Sequence, residues 1–100
     1  MIPMEYFIGL SAILFLIGAF GVLTKRNAII VLMSIEIMLN AANINFVTFA
    51  SYYDDVAGQI FALFSIAIAA AEVAVGLAIL LNLNRTRGTI DLEKLNLLRW

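Results

Sequence analysis

Two glutamates are the residues of this sequence whose type and setting point to chemistry. Glu36 lies in VLMSIEIMLNAANINF and Glu72 in FSIAIAAAEVAVGLAILL, and apolar residues surround each for more than one helical turn on both sides. An acidic side chain at the centre of a membrane helix costs about 2.5–3.5 kcal/mol on insertion scales, which the rest of the helix must offset. A carboxyl kept at that depth is by default a functional residue.

Protonation is the chemistry that such carboxyls offer. The apolar runs contain no Lys, Arg or His that would neutralise a carboxylate. Because a charge is difficult to keep in hydrocarbon, we expect Glu36 and Glu72 to take up and release protons at the working pH, as residues of a proton relay. The alternative is a permanently protonated glutamate that donates a hydrogen bond between helices.

Polar or small side chains accompany each glutamate at helical spacing. Asn40 and Asn43 follow Glu36 at four and seven positions, so the three share a helical stripe. The two amides either hold water beside the carboxyl or hydrogen-bond to another helix. Around the second glutamate, small residues predict a face for close helix packing with the acid at its centre: Ser65, Ala69, Glu72 and Gly76.

Membrane-spanning helices must position these residues. Of the 100 residues 64% are hydrophobic and 13% are charged, unlike a soluble domain. The runs at residues 4–23, 28–50 and 59–83 each reach the roughly 20 residues that cross a bilayer. We predict an all-α membrane protein, a single domain over residues 1–100 with three transmembrane helices and a polar tail at 84–100. Gly9, Gly18 and Gly21 are predicted packing positions of the first helix.

The two glutamates are predicted to lie at similar depth. Glu36 is about 12 Å from the start of its run, and Glu72 is about 17 Å before the end of the next. Short connections make successive helices antiparallel neighbours, whose axes lie about 8–10 Å apart. Direct proton transfer needs roughly 3 Å, so water or another side chain must bridge the carboxyls.

Charge predicts the orientation. All six basic residues lie in the first connection or the tail (Lys25, Arg26, Arg85, Arg87, Lys94 and Arg99), whereas Glu5, Asp54 and Asp55 lie at the opposite ends of the helices. The positive-inside rule then places the N-terminus outside, on the periplasmic side, and the tail in the cytoplasm. Leu92, Leu95 and Leu98 predict a short amphipathic segment that lies either in the lipid headgroups or on a partner. No basic stripe suited to nucleic acid is present.

The chain has no Cys and no His, and therefore no thiolate or imidazole for iron–sulfur or haem ligation. We expect no cofactor on this chain and electron transfer on others. Three helices also enclose too little to shield two carboxyls from lipid, so further membrane subunits are expected.

The sequence resembles the small core membrane subunit, of the NuoK type, of proton-pumping NADH:quinone oxidoreductase, respiratory complex I. The resemblance covers essentially the whole chain and is carried by MIP at the start, KRN, IEIMLNAANINF, GQIFALFSIAIAAAEVAVGLAILL and RTRGTIDLEKLNLLRW. It implies that Glu36 and Glu72 belong to the chain of ionisable residues along the membrane arm, in proton translocation coupled to NADH:quinone oxidoreduction.

The same resemblance implies that flavin, iron–sulfur clusters and quinone bind to other subunits. The expected partners of this chain are the antiporter-like and quinone-proximal subunits of the membrane arm, and the chain is surrounded by the lipid bilayer. The expected location is the bacterial plasma (inner) membrane, which the chain crosses several times, because no transit peptide precedes the first run.

Other functions stay open on the sequence. The sequence also resembles the small three-helix subunit of multisubunit sodium/proton antiporters, but that family lacks an acid at the position of Glu72. Related hydrogenase and ferredoxin-dependent complexes share more of the pattern. The remaining alternatives are a purely structural spacer and a free-standing small transporter.

Overall fold

Three helices make up the part of the chain that the structure, a computed structural model, describes, which is residues 2–92. They are α1 (Met4–Thr24), α2 (Ala28–Tyr52) and α3 (Val56–Arg87), with no strand among them. Each is long and apolar enough to cross a membrane. The prediction of an all-α chain with three such helices is confirmed.

Helix α3 is longer at both ends than the apolar run that predicted it. It has 32 residues and is therefore about 48 Å long, whereas a hydrocarbon core is about 30 Å thick. The first residues of the predicted polar tail continue the helix, because helical hydrogen bonds do not require an apolar surrounding. The helix ends at Gly88, whose φ of 72° is left-handed, a conformation that glycine adopts without steric cost.

Helix α2 is the central helix. It packs against both α1 and α3, whereas within residues 2–92 no Cα atom of α1 lies within 8 Å of a Cα atom of α3. Its first turn is capped by Asn27, whose Oδ1 accepts hydrogen bonds from the backbone N–H groups of Ile29 at 2.9 Å and Ile30 at 3.2 Å. At its other end, Asp54 has a φ of 54° in the tight turn into α3.

Glycine and serine bring α1 close to α2. A Cβ atom at Gly18 would lie 2.6 Å from Cγ of Met38 and 2.7 Å from the carbonyl oxygen of Ser34, and one at Gly21 would collide with the Ser34 hydroxyl. The Ser11 hydroxyl donates a 2.7 Å hydrogen bond to the Ala41 carbonyl. These contacts confirm two of the three predicted packing glycines.

Gly9 does not follow that prediction. No atom lies within 4 Å of the place where its Cβ would be. The prediction of a packing role for Gly9 is wrong within this chain, because α1 faces open space at that residue.

Helices α2 and α3 pack through small residues over most of their shared length. A Cβ at Gly58 would lie 2.9 Å from Cβ of Ala50, and a Cβ at Gly76 would lie 3.2 Å from Cδ2 of Leu32. Ala62, fully buried, lies between these two points on α3. The close approach therefore extends from the turn at residues 53–55 to the other end of α2.

The segment after α3 returns to the connection between α1 and α2. The N–H of Ala28 donates to the carbonyl of Ile90, and the N–H of Leu92 donates to the carbonyl of Arg26, both at 2.9 Å. We call residues 89–92 the strap. Of the predicted amphipathic segment only Leu92 lies within the described residues.

The strap also gathers charge at one end of the helices. Lys25 and Arg26 lie beside the end of α3, whose last turn contains Arg85 and Arg87. Three acidic residues lie at the other end, namely Glu5, Asp54 and Asp55, whereas Asp91 belongs to the strap. The chain thus has a basic end and an acidic end.

Candidate functional site

The register between α2 and α3 determines how Glu36 and Glu72 stand to each other. Leu32 of α2 lies against Gly76 of α3, and the helices are antiparallel. Glu36 is four residues after Leu32, and Glu72 is four residues before Gly76. The contact of Ala50 with Gly58 gives the same result from the other end, because fourteen residues separate each of them from its glutamate. The two glutamates are therefore level on neighbouring helices.

The two carboxyls differ in their surroundings. Glu36 is half-buried and Glu72 is exposed. Neither has a hydrogen bond or an ion pair within residues 2–92. The carboxyls of Glu36 and Glu72 therefore depend on water or on other chains for their polar contacts.

Glu72 lies at the edge of the small-residue face of α3, not at its centre. Ala69 is buried and Gly76 is half-buried against α2. At 100° per residue, Glu72 falls about 60° to one side of Ala69, and Val73 falls about 40° to the other. Val73 is accordingly half-buried. The predicted face exists, but the prediction that it has the acid at its centre is wrong.

The exposed side of Glu72 opens onto a shallow apolar groove of about 470 Å³ on the surface of α3. Gly76 and Ile79 line this groove and also a second one of about 270 Å³, between α2 and α3, which reaches Leu92 of the strap. A carboxyl on the outer surface of a membrane helix is expected to face protein or water and not lipid. This surface is therefore expected to face protein or water.

Asn40 and Asn43, the amides that follow Glu36, line a different feature. It is the open space between α1 and α3, bounded on its third side by α2. We call it the notch; its volume is about 640 Å³. The described lining includes residues of all three helices: Phe7 and Leu10 of α1, Asn40, Asn43 and Val47 of α2, and Ile66 of α3. Asn40 and Asn43, which the sequence places on one helical stripe with Glu36, thus line the same notch.

The two amides are placed differently in the notch. Asn40 is exposed, whereas Asn43 is only 4% exposed and both its Nδ2 and its Oδ1 lack a hydrogen-bond partner. The Oδ1 of Asn45 is also buried without a partner. An amide within an apolar run was the signal for all three, but spacing alone does not separate a paired amide from an unpaired one.

Between residues 2 and 92, no three His, Cys, Asp or Glu side chains come together as a group that could hold a metal ion. The expectation that this chain binds no cofactor stays a prediction. The arrangement that is present offers proton exchange at two carboxyls and hydrogen bonding at several amides.

Two carboxyls lie at the same level on neighbouring antiparallel helices, and neither has a polar partner in the described residues. This arrangement defines a class of protein, a small multi-pass membrane subunit that works within a larger assembly. A family model described as NADH-ubiquinone/plastoquinone oxidoreductase chain 4L matches residues 6–100. The chain belongs to this family. The resemblance to the small membrane subunit of complex I is thereby confirmed.

Individual relatives agree with the family model. NADH-quinone oxidoreductase subunit K of Flavobacterium johnsoniae is 57% identical over 98% of this chain and 92% of its own length. The subunit K of Roseiflexus castenholzii is 54% identical over 99% of both chains. NAD(P)H-quinone oxidoreductase subunit 4L of the Paulinella chromatophora chromatophore is 56% identical over 99% of this chain and 98% of its own. The chain is therefore a multi-pass membrane subunit of a quinone oxidoreductase.

Proposed function

We propose that Glu36 and Glu72 carry protons within the plane of the membrane, as part of proton translocation that is driven by quinone reduction elsewhere in the complex. The observation that supports this most directly is the register of α2 and α3, which makes the two carboxyls level. A proton that passes between them stays at one depth. It therefore needs no path along the full length of a helix.

Water must complete the path. Axes of packed helices lie about 8–10 Å apart, and proton transfer needs roughly 3 Å between heavy atoms. Neither carboxyl has a partner within residues 2–92, so both are free to bind water that enters and leaves. Asn40, one turn from Glu36 and exposed, can hold such water in place.

Neighbouring subunits supply the rest of the path. The exposed carboxyl of Glu72 and the half-buried carboxyl of Glu36 connect, in this proposal, to antiporter-like and quinone-proximal subunits of the membrane arm. Flavin, iron–sulfur clusters and quinone bind to other chains in this proposal, and no redox step takes place here. The basic end faces the cytoplasm by the positive-inside rule, which leaves the N-terminus outside. A bacterial plasma membrane is the proposed location, as several of the similar subunits are bacterial.

Conservative substitution tests the proposal. Glu36→Gln and Glu72→Gln keep size and hydrogen bonding but remove the exchangeable proton. We expect each variant to assemble and to lose proton pumping in vesicles, with about a 10²-fold slower proton transfer and the larger effect at Glu36. Glu5→Gln is the matched control, because Glu5 is an exposed carboxyl in the first turn of α1, and it should pump normally.

The results separate the relay from a structural spacer. A spacer needs the shape of the two side chains but not their protons, so both glutamine variants would pump at the rate of the parent complex. That result would refute the relay. Loss of pumping in Glu5→Gln as well would show that the assay reports general damage.

A further inference from the structure

The notch is an open space between helices that the described chain does not fill with its own side chains. Helix α2 packs against both outer helices, but no Cα atom of α1 lies within 8 Å of a Cα atom of α3. The rims of the notch expose large apolar side chains, with Leu10 at 48% and Ile66 at 42%. Helices arranged in this way have the shape of a four-helix bundle that lacks one helix.

Asn43 distinguishes the notch from a surface that lipid covers. Its side chain is 96% buried, and neither its amide nitrogen nor its amide oxygen has a hydrogen-bond partner. A buried amide without a partner is destabilising. An acyl chain offers neither a donor nor an acceptor, so lipid in the notch would leave the amide as it is. The occupant must provide both a donor and an acceptor.

We propose that one transmembrane helix of a neighbouring subunit lies in the notch and presents an uncharged hydrogen-bonding side chain, of the Asn, Gln, Ser or Thr type, at the level of Asn43. The proposal rests on the proposed function only in that the chain works inside a larger membrane complex. The Asn43 amide turns outward about its side-chain torsions to meet this group, and side-chain amides commonly join membrane helices in this way.

The surroundings favour an uncharged partner of this kind. Apart from Asn40, Asn43 and Thr48, the lining of the notch is apolar, and no Lys, Arg, Asp or Glu is part of it. A charged side chain would find no counter-charge there and would be costly to desolvate. Asn40, exposed in the same notch, offers the incoming helix a second hydrogen-bonding group one turn from the first.

Site-directed photo-cross-linking in the purified, assembled complex tests the occupant. A photoreactive phenylalanine derivative at Leu10 and, separately, at Ile66 probes the two rims. Ile13 is the matched control on α1, because it is 58% exposed and does not line the notch. We expect positions 10 and 66 to label the same transmembrane peptide of one other subunit, and position 13 not to label it.

Other labelling patterns overturn the proposal. Labelling of lipid alone from both rims shows that acyl chains fill the notch. Labelling of a second copy of this chain, or of different subunits from the two rims, shows that no single neighbouring helix lies there. None of these results bears on proton transfer by Glu36 and Glu72, which the glutamine variants test separately.

Substitution of Asn43 tests the hydrogen bond. Asn43→Leu has similar size but no polar group, and we expect roughly three- to twenty-fold weaker retention of the labelled subunit in mild detergent. Asn43→Gln keeps the amide and should recover part of this loss. Unchanged retention of the labelled subunit in Asn43→Leu would overturn the proposal. If proton pumping were lost in the same variant, the result would indicate that water and not a helix occupies the notch. The cross-links are measured with Asn43 intact, so they decide the case even if a variant fails to fold.

Discussion

Replacing Gly18 by alanine tests the packing that holds α2, and with it Glu36, in place. The new Cβ would lie 2.6 Å from Cγ of Met38 and 2.7 Å from the carbonyl oxygen of Ser34. The methionine side chain can move aside, but the carbonyl belongs to the backbone of α2. To bring that contact to 3.4 Å, where ordinary contact begins, α1 and α2 must separate by 0.7 Å at this level.

The energy of this separation can be isolated with a matched control. Overpacking costs about 1–3 kcal/mol, whereas alanine is favoured over glycine in a helix by about 1 kcal/mol. Gly9→Ala carries the same gain in helix propensity but meets no atom within 4 Å. The difference between the two variants is therefore the packing cost alone, and we expect Gly18→Ala to be less stable than Gly9→Ala by about 1–3 kcal/mol.

Thermal release of the subunit from the assembled complex measures this difference, and vesicle assays measure its consequence. Glu36 lies between Ser34 and Met38 on α2, so a sideways shift of this part of α2 changes the distance between its carboxyl and that of Glu72. Proton pumping should fall in Gly18→Ala and not in Gly9→Ala. Equal release temperatures and equal pumping in the two variants would show that α1 does not position α2 and would refute this reasoning.

Three further predictions follow from single contacts. Ser11→Ala removes the buried hydrogen bond to the Ala41 carbonyl and should lower stability by about 0.6–1.7 kcal/mol, measured by thermal release; no change would mean that the bond contributes nothing. Asn27→Ala removes the acceptor of two backbone N–H groups and should cost about 0.5–2 kcal/mol, while Asn27→Asp restores stability; failure of that rescue would argue against capping. Gly88→Ala forces a left-handed φ on alanine, at about 1–2 kcal/mol, and should speed amide hydrogen exchange at Ala28, whose N–H donates to the strap; unchanged exchange would show that the strap does not depend on this turn.

Some of the site was readable from residue spacing, and some was not. Spacing placed Asn40 and Asn43 on the stripe of Glu36, and both do line one notch. It did not reveal that Asn43 is buried without a partner, because that depends on how the three helices pack around it. The edge position of Glu72 was missed for a similar reason. The spacing of three and four residues on α3 places Glu72 near Ala69 and Gly76, but it does not show which of these residues points most directly at α2.

The sequence by itself determined the number of helices, the two acids inside them and the distribution of charge between their ends. Each of these depends on local composition, because a run of apolar residues must form hydrogen bonds within itself to enter a bilayer. The sequence also predicted a similar depth for Glu36 and Glu72. Tertiary structure alone decided that α1 and α3 stay apart, that the strap pairs with the first connection, and which residues of α2 and α3 contact each other. Those features depend on the places where glycine and alanine let two backbones approach, and a close approach involves both helices at once.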